Sequence, residues 1–191
     1  FKSTEYADFL LRGLNKNTPE LETGEAEFFF ICNNATQEVK DYLKERNIKH
    51  YIFETPEQKP YPHNLPEIYA AWNFAVNQSK GEICVLLNSD MWVSKGWLKH
   101  LVDSVTDKTI ITSRLIESGK LRSTFPHTIS RDFGRTPKDF KEEDFELFSD
   151  SISESLLSSG GTFMPCAFKK EIFLKSGGFP LGNVNGQGGD Q

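Results

Sequence analysis

Short apolar runs alternate with amphipathic segments along most of the chain. Continuous apolar runs at residues 27–32, 49–53 and 82–87 have the length of strands. A run of this kind is typical of a strand covered on both faces, as in a parallel sheet. A fourth strand is predicted at residues 109–116, and a later one within residues 160–168.

Helical spacing of apolar positions separates these strands. It predicts helices at about residues 5–14, 37–46, 66–78, 94–105, 140–152 and 169–176. Thr36 precedes the second helix as an N-cap, Pro66 suits a first helical turn, and Gly177 follows the last helix as a stop. Repeated strand-helix alternation predicts an α/β fold with a mainly parallel sheet and right-handed crossovers. No boundary divides the sequence, so we expect a single domain over residues 1–191.

Composition narrows the class of protein. The chain has 191 residues and a formal net charge of -5, and a run of Lys or Arg that would suit a nucleic acid is lacking. Its apolar stretches are shorter than the roughly 20 residues that cross a bilayer. Cys32, Cys84 and Cys166 lie singly among apolar residues, which predicts buried free thiols and favours a cytoplasmic location.

Polar residues end the predicted strands, and ligands of open α/β sheets bind beyond those ends. The segment LLNSDMW follows the third strand and presents Asn88 and Asp90 one residue apart. Oxygen ligands so spaced can share Mg²⁺ or Mn²⁺ with a diphosphate. The same letters are also an ordinary turn or helix-start sequence, because Asn, Ser and Asp bond their own backbone.

Several segments, in order, resemble glycosyltransferase family 2. They are EFFFICNNAT, the segment from NLPEIYAAWNFA to LLNSDMWVSKGWLKHLV, GGTFMPCAFKKEIFLKSGGFP and GQGGDQ. The resemblance implies a GT-A fold, which is a Rossmann-like sheet flanked by helices. It also implies a strand ahead of residue 1, so we expect the sequence to be truncated at one or both ends.

The resemblance also assigns roles by position. It places Asn33 at a nucleotide-base contact, Asn88 near ribose or phosphate, and Asp90 at the metal, Mn²⁺ or Mg²⁺. Asn73 falls within the family's A-R-N-x-G segment, where Trp72 replaces the usual Arg. Because Asn at positions 33 and 88 lacks the charge of Asp, metal affinity is expected to rest on Asp90 and the diphosphate.

The glycine-rich segments complete the expected site. Asp190 is the candidate catalytic base, although it also aligns with the Glu that precedes the base in G-G-E-D. Gly161 is a candidate close approach to the donor sugar, and a plain turn explains it equally well. Trp92 suits either a stacked ligand or helix packing.

The expected activity is metal-dependent inverting transfer from a nucleotide-diphosphate sugar to a hydroxyl of a carbohydrate, lipid or protein, as in polysaccharide or glycoconjugate biosynthesis. A non-catalytic nucleotide-sugar-binding or scaffold domain on the same fold is the alternative. A nucleotidyltransferase would need a basic, glycine-rich phosphate loop near the start, and the sequence lacks one. The four histidines have no metal-ligand spacing, so we interpret them as structural.

Overall fold

The computed structural model describes residues 3–55, 65–118, 127–154, 156–161 and 164–181. In chain order the elements are α1 (Thr4–Asn17), α2 (Pro19–Thr23), β1 (Phe30–Asn33), α3 (Gln37–Glu45), β2 (His50–Phe53), α4 (Leu65–Gln78), β3 (Ile83–Leu86), α5 (Trp97–Ser104), β4 (Ile111–Thr112), β5 (Ile116–Glu117), β6 (Ile129–Ser130), α6 (Glu142–Ser151), β7 (Cys166–Lys169) and α7 (Lys170–Lys175).

The chain forms two compact units. Unit 1 comprises Phe1–Thr4, Gly24–Cys84 and Lys169–Gln191, and unit 2 comprises Glu5–Thr23 and Val85–Phe168. Strands β3 and β7 each have residues in both units. In the described part of the chain, no helix is both long and apolar enough to cross a membrane.

Unit 1 is organised around a parallel pair of strands. β1 pairs with β2 in a register that aligns Phe30 with His50 and Asn33 with Phe53. Helix α3 connects them, and the hydroxyl oxygen of its N-cap Thr36 accepts a hydrogen bond from the Val39 amide at 3.4 Å. Val39 is fully buried, so the cap and the apolar face fix the helix start together. This strand-helix-strand arrangement is as the sequence predicts.

Unit 2 contains β4, parts of β3 and β7, and a small β5-β6 pair, and β3, β7 and β4 form a sheet in the order β3-β7-β4. The central strand β7 places Cys166 and Ala167 at 0% exposure. Helix α1 is amphipathic and buries Phe9, Leu10 and Leu14, which are among its apolar residues at helical spacing. The core of this unit therefore receives side chains from both its helices and its sheet.

The fourth predicted strand differs from the observed one. Within residues 109–116, only Ile111 and Thr112 form β4. The next strand, β5, starts at Ile116. Strand β4 pairs antiparallel with β7, whereas β5 pairs parallel with β6. Between them Arg114 donates to the Ile152 carbonyl at 2.6 Å, which ties this segment to the end of α6 instead of to a continuing ladder. Parallel pairing is thus seen for β1 with β2 and for β5 with β6, and a single mainly parallel sheet is not formed by the described residues.

All three cysteines are free and buried, as predicted. Burial raises the pKa of each thiol, and that of Cys166 reaches about 12. A buried neutral thiol packs as a small apolar group and is a poor nucleophile or metal ligand. These side chains therefore belong to the core.

Candidate functional site

Asn33 is the last residue of β1, and its side-chain oxygen is buried without a hydrogen-bond partner. Leaving a buried acceptor unpaired costs about 1–3 kcal/mol. The carboxyl end of a strand is where ligands of open α/β sheets bind, but this oxygen is shielded from solvent in the structure. This geometry is compatible with the predicted contact between Asn33 and a nucleotide base, which stays a prediction.

The next residue, Asn34, fixes the backbone around that oxygen. Asn34 has a left-handed backbone with φ 47°, and its amide N–H donates to the Phe53 carbonyl at 2.9 Å. Its side chain pairs twice with Thr55, donating to the hydroxyl at 2.8 Å and accepting from the amide at 3.0 Å. Asn34 thus joins the ends of β1 and β2 and holds Asn33 in place. The sequence offered one signal for this role, since Asn tolerates the left-handed region.

Asn73 lies on α4 and is engaged with the backbone of Phe179. Its side-chain nitrogen donates to the Phe179 carbonyl and its oxygen accepts from the Phe179 amide, each at 2.9 Å. This double pairing fastens the GGFP segment, which follows α7, onto α4. Trp72 takes part in the same packing, with its ring centroid 5.2 Å from that of Phe179. A contact between Asn73 and the nucleotide-sugar donor stays a prediction. In the structure the Asn73 amide group is already paired with the backbone of Phe179.

Asn88 and Asp90 lie in unit 2, directly after β3, where Ser89 and Asp90 form a turn. Both side chains are exposed, and within the described part of the chain neither forms a hydrogen bond or ion pair. Helix α5 begins only at Trp97 and has Gly96 as its N-cap, without a side-chain cap. The helix-start interpretation of NSD is therefore wrong and its interpretation as a turn is confirmed, while the oxygens of both side chains are exposed.

Trp92 packs inside unit 2 against two other aromatic rings. Its ring centroid is 5.2 Å from that of Phe9 and 5.1 Å from that of Phe140. A Cβ added at Gly13 would approach the Trp92 ring to 3.2 Å, so the absence of a side chain there lets the indole lie against α1. Of the two roles left open by the sequence, the structure favours packing.

Gly161 approaches β4 closely. A Cβ at this position would lie 2.6 Å from the Thr112 hydroxyl, which is closer than real Cβ contacts come. A side chain at position 161 would therefore force the Thr112 hydroxyl to move. Its role next to a donor sugar stays a prediction.

The turn of Asn88 and Asp90 offers a divalent cation one carboxylate and one amide oxygen. Among the described residues, no group of three or more His, Cys, Asp or Glu side chains is arranged to hold a metal. Mg²⁺ sites commonly use one or two carboxylates together with substrate phosphates. The Asp90 carboxylate and the Asn88 amide oxygen, both exposed and unpaired, match such a site.

The predicted site residues are divided between the two units. Asn33 and Asn73 belong to unit 1, whereas Asn88, Asp90 and Gly161 belong to unit 2. Asp190 lies outside the described residues. Sequence reasoning missed Asn34 and also Glu146, whose carboxylate bonds Trp92 from 54 residues away.

The model of glycosyl transferase family 2 matches residues 16–168, which is well over half of the 191-residue chain and includes parts of both units. No curated protein gives a significant match. The matched range contains β1, α4 and the turn with Asp90.

The chain therefore belongs to glycosyl transferase family 2. Membership implies the GT-A fold, and the mixed α/β structure with short strands agrees with it. The protein is a glycosyltransferase, so its reactants are a nucleotide-sugar donor and an acceptor.

Proposed function

We propose that the protein is a metal-dependent inverting glycosyltransferase whose donor diphosphate is held at Asp90. The observation that carries this proposal is the exposed, unpaired pair Asn88 and Asp90 in a turn directly after β3. We further propose that residues 1–191 act as one catalytic domain, because the family match includes residues of both units.

Asp90 supplies the charged ligand at this site and Asn88 a neutral oxygen. Mn²⁺ or Mg²⁺ bound there would neutralise the charge that develops on the departing nucleoside diphosphate. With one carboxylate in the turn, the affinity of the site for the cation depends strongly on the diphosphate itself. We therefore expect nucleotide and metal to bind together.

Asn33 supports the nucleotide part of the proposal. Its side-chain oxygen, buried and unpaired in the structure, would turn outward to accept a hydrogen bond from an N–H of the base, which removes the cost of leaving it unpaired. Asn34 and its two bonds to Thr55 keep the backbone at Asn33 in place before the nucleotide binds. Pre-organisation of this kind lowers the ordering cost of binding.

In the proposed reaction the acceptor hydroxyl attacks the anomeric carbon from the face opposite the diphosphate. The new bond joins the acceptor oxygen to that carbon, and the bond from the carbon to the diphosphate oxygen breaks with its electron pair. Asp190 takes the proton of the hydroxyl as general base. The product would have inverted anomeric configuration. The proposed location is cytoplasmic, and the acceptor a carbohydrate, lipid or protein.

Titration calorimetry tests this proposal. We expect UDP or GDP to bind the protein with MnCl₂ and to bind much more weakly in EDTA. Asp90→Ala should remove the Mn²⁺-dependent part and leave the thermal unfolding temperature close to that of the wild type, because the exposed carboxylate has no partner. Equal binding of both nucleotides with and without Mn²⁺ would contradict the proposal.

A further inference from the structure

Glu146 of helix α6 and Asn17 of helix α1 together hold the segment that follows Asp90. We propose that Glu146 is a positioning residue for the turn of Asn88 and Asp90 and acts through the indole of Trp92. The inference rests on the proposed role of Asp90 in holding the donor. It concerns unit 2 alone, which contains all of these residues.

The segment between β3 and α5 needs such support. Residues 87–96 connect the two elements without regular structure. Residues 88–93 make no backbone-to-backbone hydrogen bond to any residue that the structure describes. The position of the turn therefore depends on side chains that bind this segment from elsewhere.

Two side chains bind it immediately after Asp90. The Trp92 indole nitrogen donates to Glu146 Oε1 at 2.9 Å. Asn17 donates through its amide nitrogen to the Val93 carbonyl at 2.8 Å and to the same Glu146 oxygen at 2.7 Å. One carboxylate oxygen thus connects the two attachments of the segment.

These attachments lie in a sheltered environment. The Asn17 residue is 6% exposed, and the Glu146 side chain is 16% exposed. Lys16 Nζ lies 3.8 Å from Glu146 Oε1 and supplies a compensating charge. Polar groups sheltered from water hold their geometry better than exposed ones, because water cannot readily replace a broken bond.

Trp92 transmits this anchoring to the turn. Its ring packs against Phe9 and Phe140, which also contact each other, and its nitrogen donates to Glu146, so its backbone is held two residues after Asp90. Residues that orient a metal ligand from behind typically change metal affinity about 10–100-fold when they are removed. For an effect that passes through Trp92, we expect the lower end of that range.

Three variants separate hydrogen bonding from charge. Glu146→Ala removes the acceptor, whereas Glu146→Gln keeps an oxygen at the same place and should rescue function. Trp92→Phe keeps an aromatic ring at this position, but it removes the N–H donor together with the five-membered ring of the indole. Glu142→Ala is the matched control, because Glu142 also joins α6 to α1, through Lys16 at 2.6 Å and Arg12 at 3.0 Å.

The measured quantity is the metal gain, defined as the Kd of UDP or GDP in EDTA divided by its Kd in MnCl₂. General loss of structure weakens both Kd values together, whereas loss of turn positioning lowers the ratio. We expect Glu146→Ala to reduce the metal gain about tenfold, Trp92→Phe to reduce it less, and Glu146→Gln and Glu142→Ala to leave it near the wild-type value.

An unchanged metal gain in Glu146→Ala, or an equal loss in Glu142→Ala, overturns the inference while leaving the role of Asp90 intact. If Glu146→Ala does not fold, Trp92→Phe decides, and an unchanged metal gain in that variant overturns the inference. Asp90→Ala separates the two proposals: a full metal gain in that variant, or no metal gain in the wild type, contradicts the proposed function and the inference with it.

Discussion

The contact between Asn73 and the backbone around Gly178 gives a quantitative test of unit 1. Asn73→Ala removes both hydrogen bonds to Phe179. Each such bond contributes about 1 kcal/mol, so we expect the free energy of unfolding to fall by about 2 kcal/mol. Gly178→Ala tests the same contact from the other side.

Two effects add in Gly178→Ala. Gly178 has φ +71°, and an alanine in the left-handed region costs about 1 kcal/mol. The new Cβ would also lie 2.6 Å from the Asn73 oxygen, so the amide must move and its two bonds to Phe179 are lost. The total expected loss is about 3 kcal/mol, of which about 2 kcal/mol comes from the broken pairing.

A double-mutant cycle distinguishes this account from two independent effects. In the Asn73→Ala background the clash with the amide is absent and only the 3.3 Å approach to the Phe173 ring remains, so Gly178→Ala should cost little more than about 1 kcal/mol. The coupling free energy is then about 2 kcal/mol, measured by urea unfolding of the four proteins. Additive losses in the double variant, or a loss below about 0.5 kcal/mol for Asn73→Ala, would refute the structural role of this contact.

Three further predictions concern unit 2. Trp97→Phe removes the buried 2.9 Å bond from the indole nitrogen to Thr18 and also shrinks a buried ring, so it should lower the unfolding free energy by more than about 1 kcal/mol; no change in urea unfolding contradicts the bond. Because burial raises the Cys166 pKa to about 12, iodoacetamide at pH 8 should label this thiol only after denaturation, and labelling of the native protein argues against its burial. A hydrogen bond from the Thr136 hydroxyl, together with backbone donors, lowers the Asp139 pKa to about 2. The stability that this carboxylate adds is then present above about pH 4 and lost as the pH falls toward 2, and an NMR titration midpoint near 4 would contradict it.

Local patterns in the sequence predicted much of the fold. The Thr36 cap and the apolar spacing of α3 lie within nine residues of one another, and both are observed as expected. The positions of Asn33 at the end of β1 and of Asp90 after β3 also follow from local runs of apolar residues. Helix caps and apolar spacing depend on residues that are close in the sequence, so these elements can be predicted without knowing how the rest of the chain packs.

Pairings between distant segments could not be derived in the same way. The antiparallel pairing of Ile111 with Ala167 joins residues 56 positions apart, and apolar runs do not reveal which strand is the partner. Likewise, Glu146 looks like a member of an acidic outer helix face. Its role as an acceptor for Trp92 emerges only when α6 packs beside the turn segment.

Release of nucleoside diphosphate from a panel of sugar nucleotides is the measurement that tests the central claim most directly. Wild-type protein and Asp90→Ala would be compared with MnCl₂ and with EDTA, using UDP- and GDP-linked hexoses. Mn²⁺-dependent release by the wild type, lost in EDTA and in Asp90→Ala, is the predicted result. Release that is unaffected by EDTA and by Asp90→Ala would contradict the assignment of the turn after β3 as the site that holds the donor.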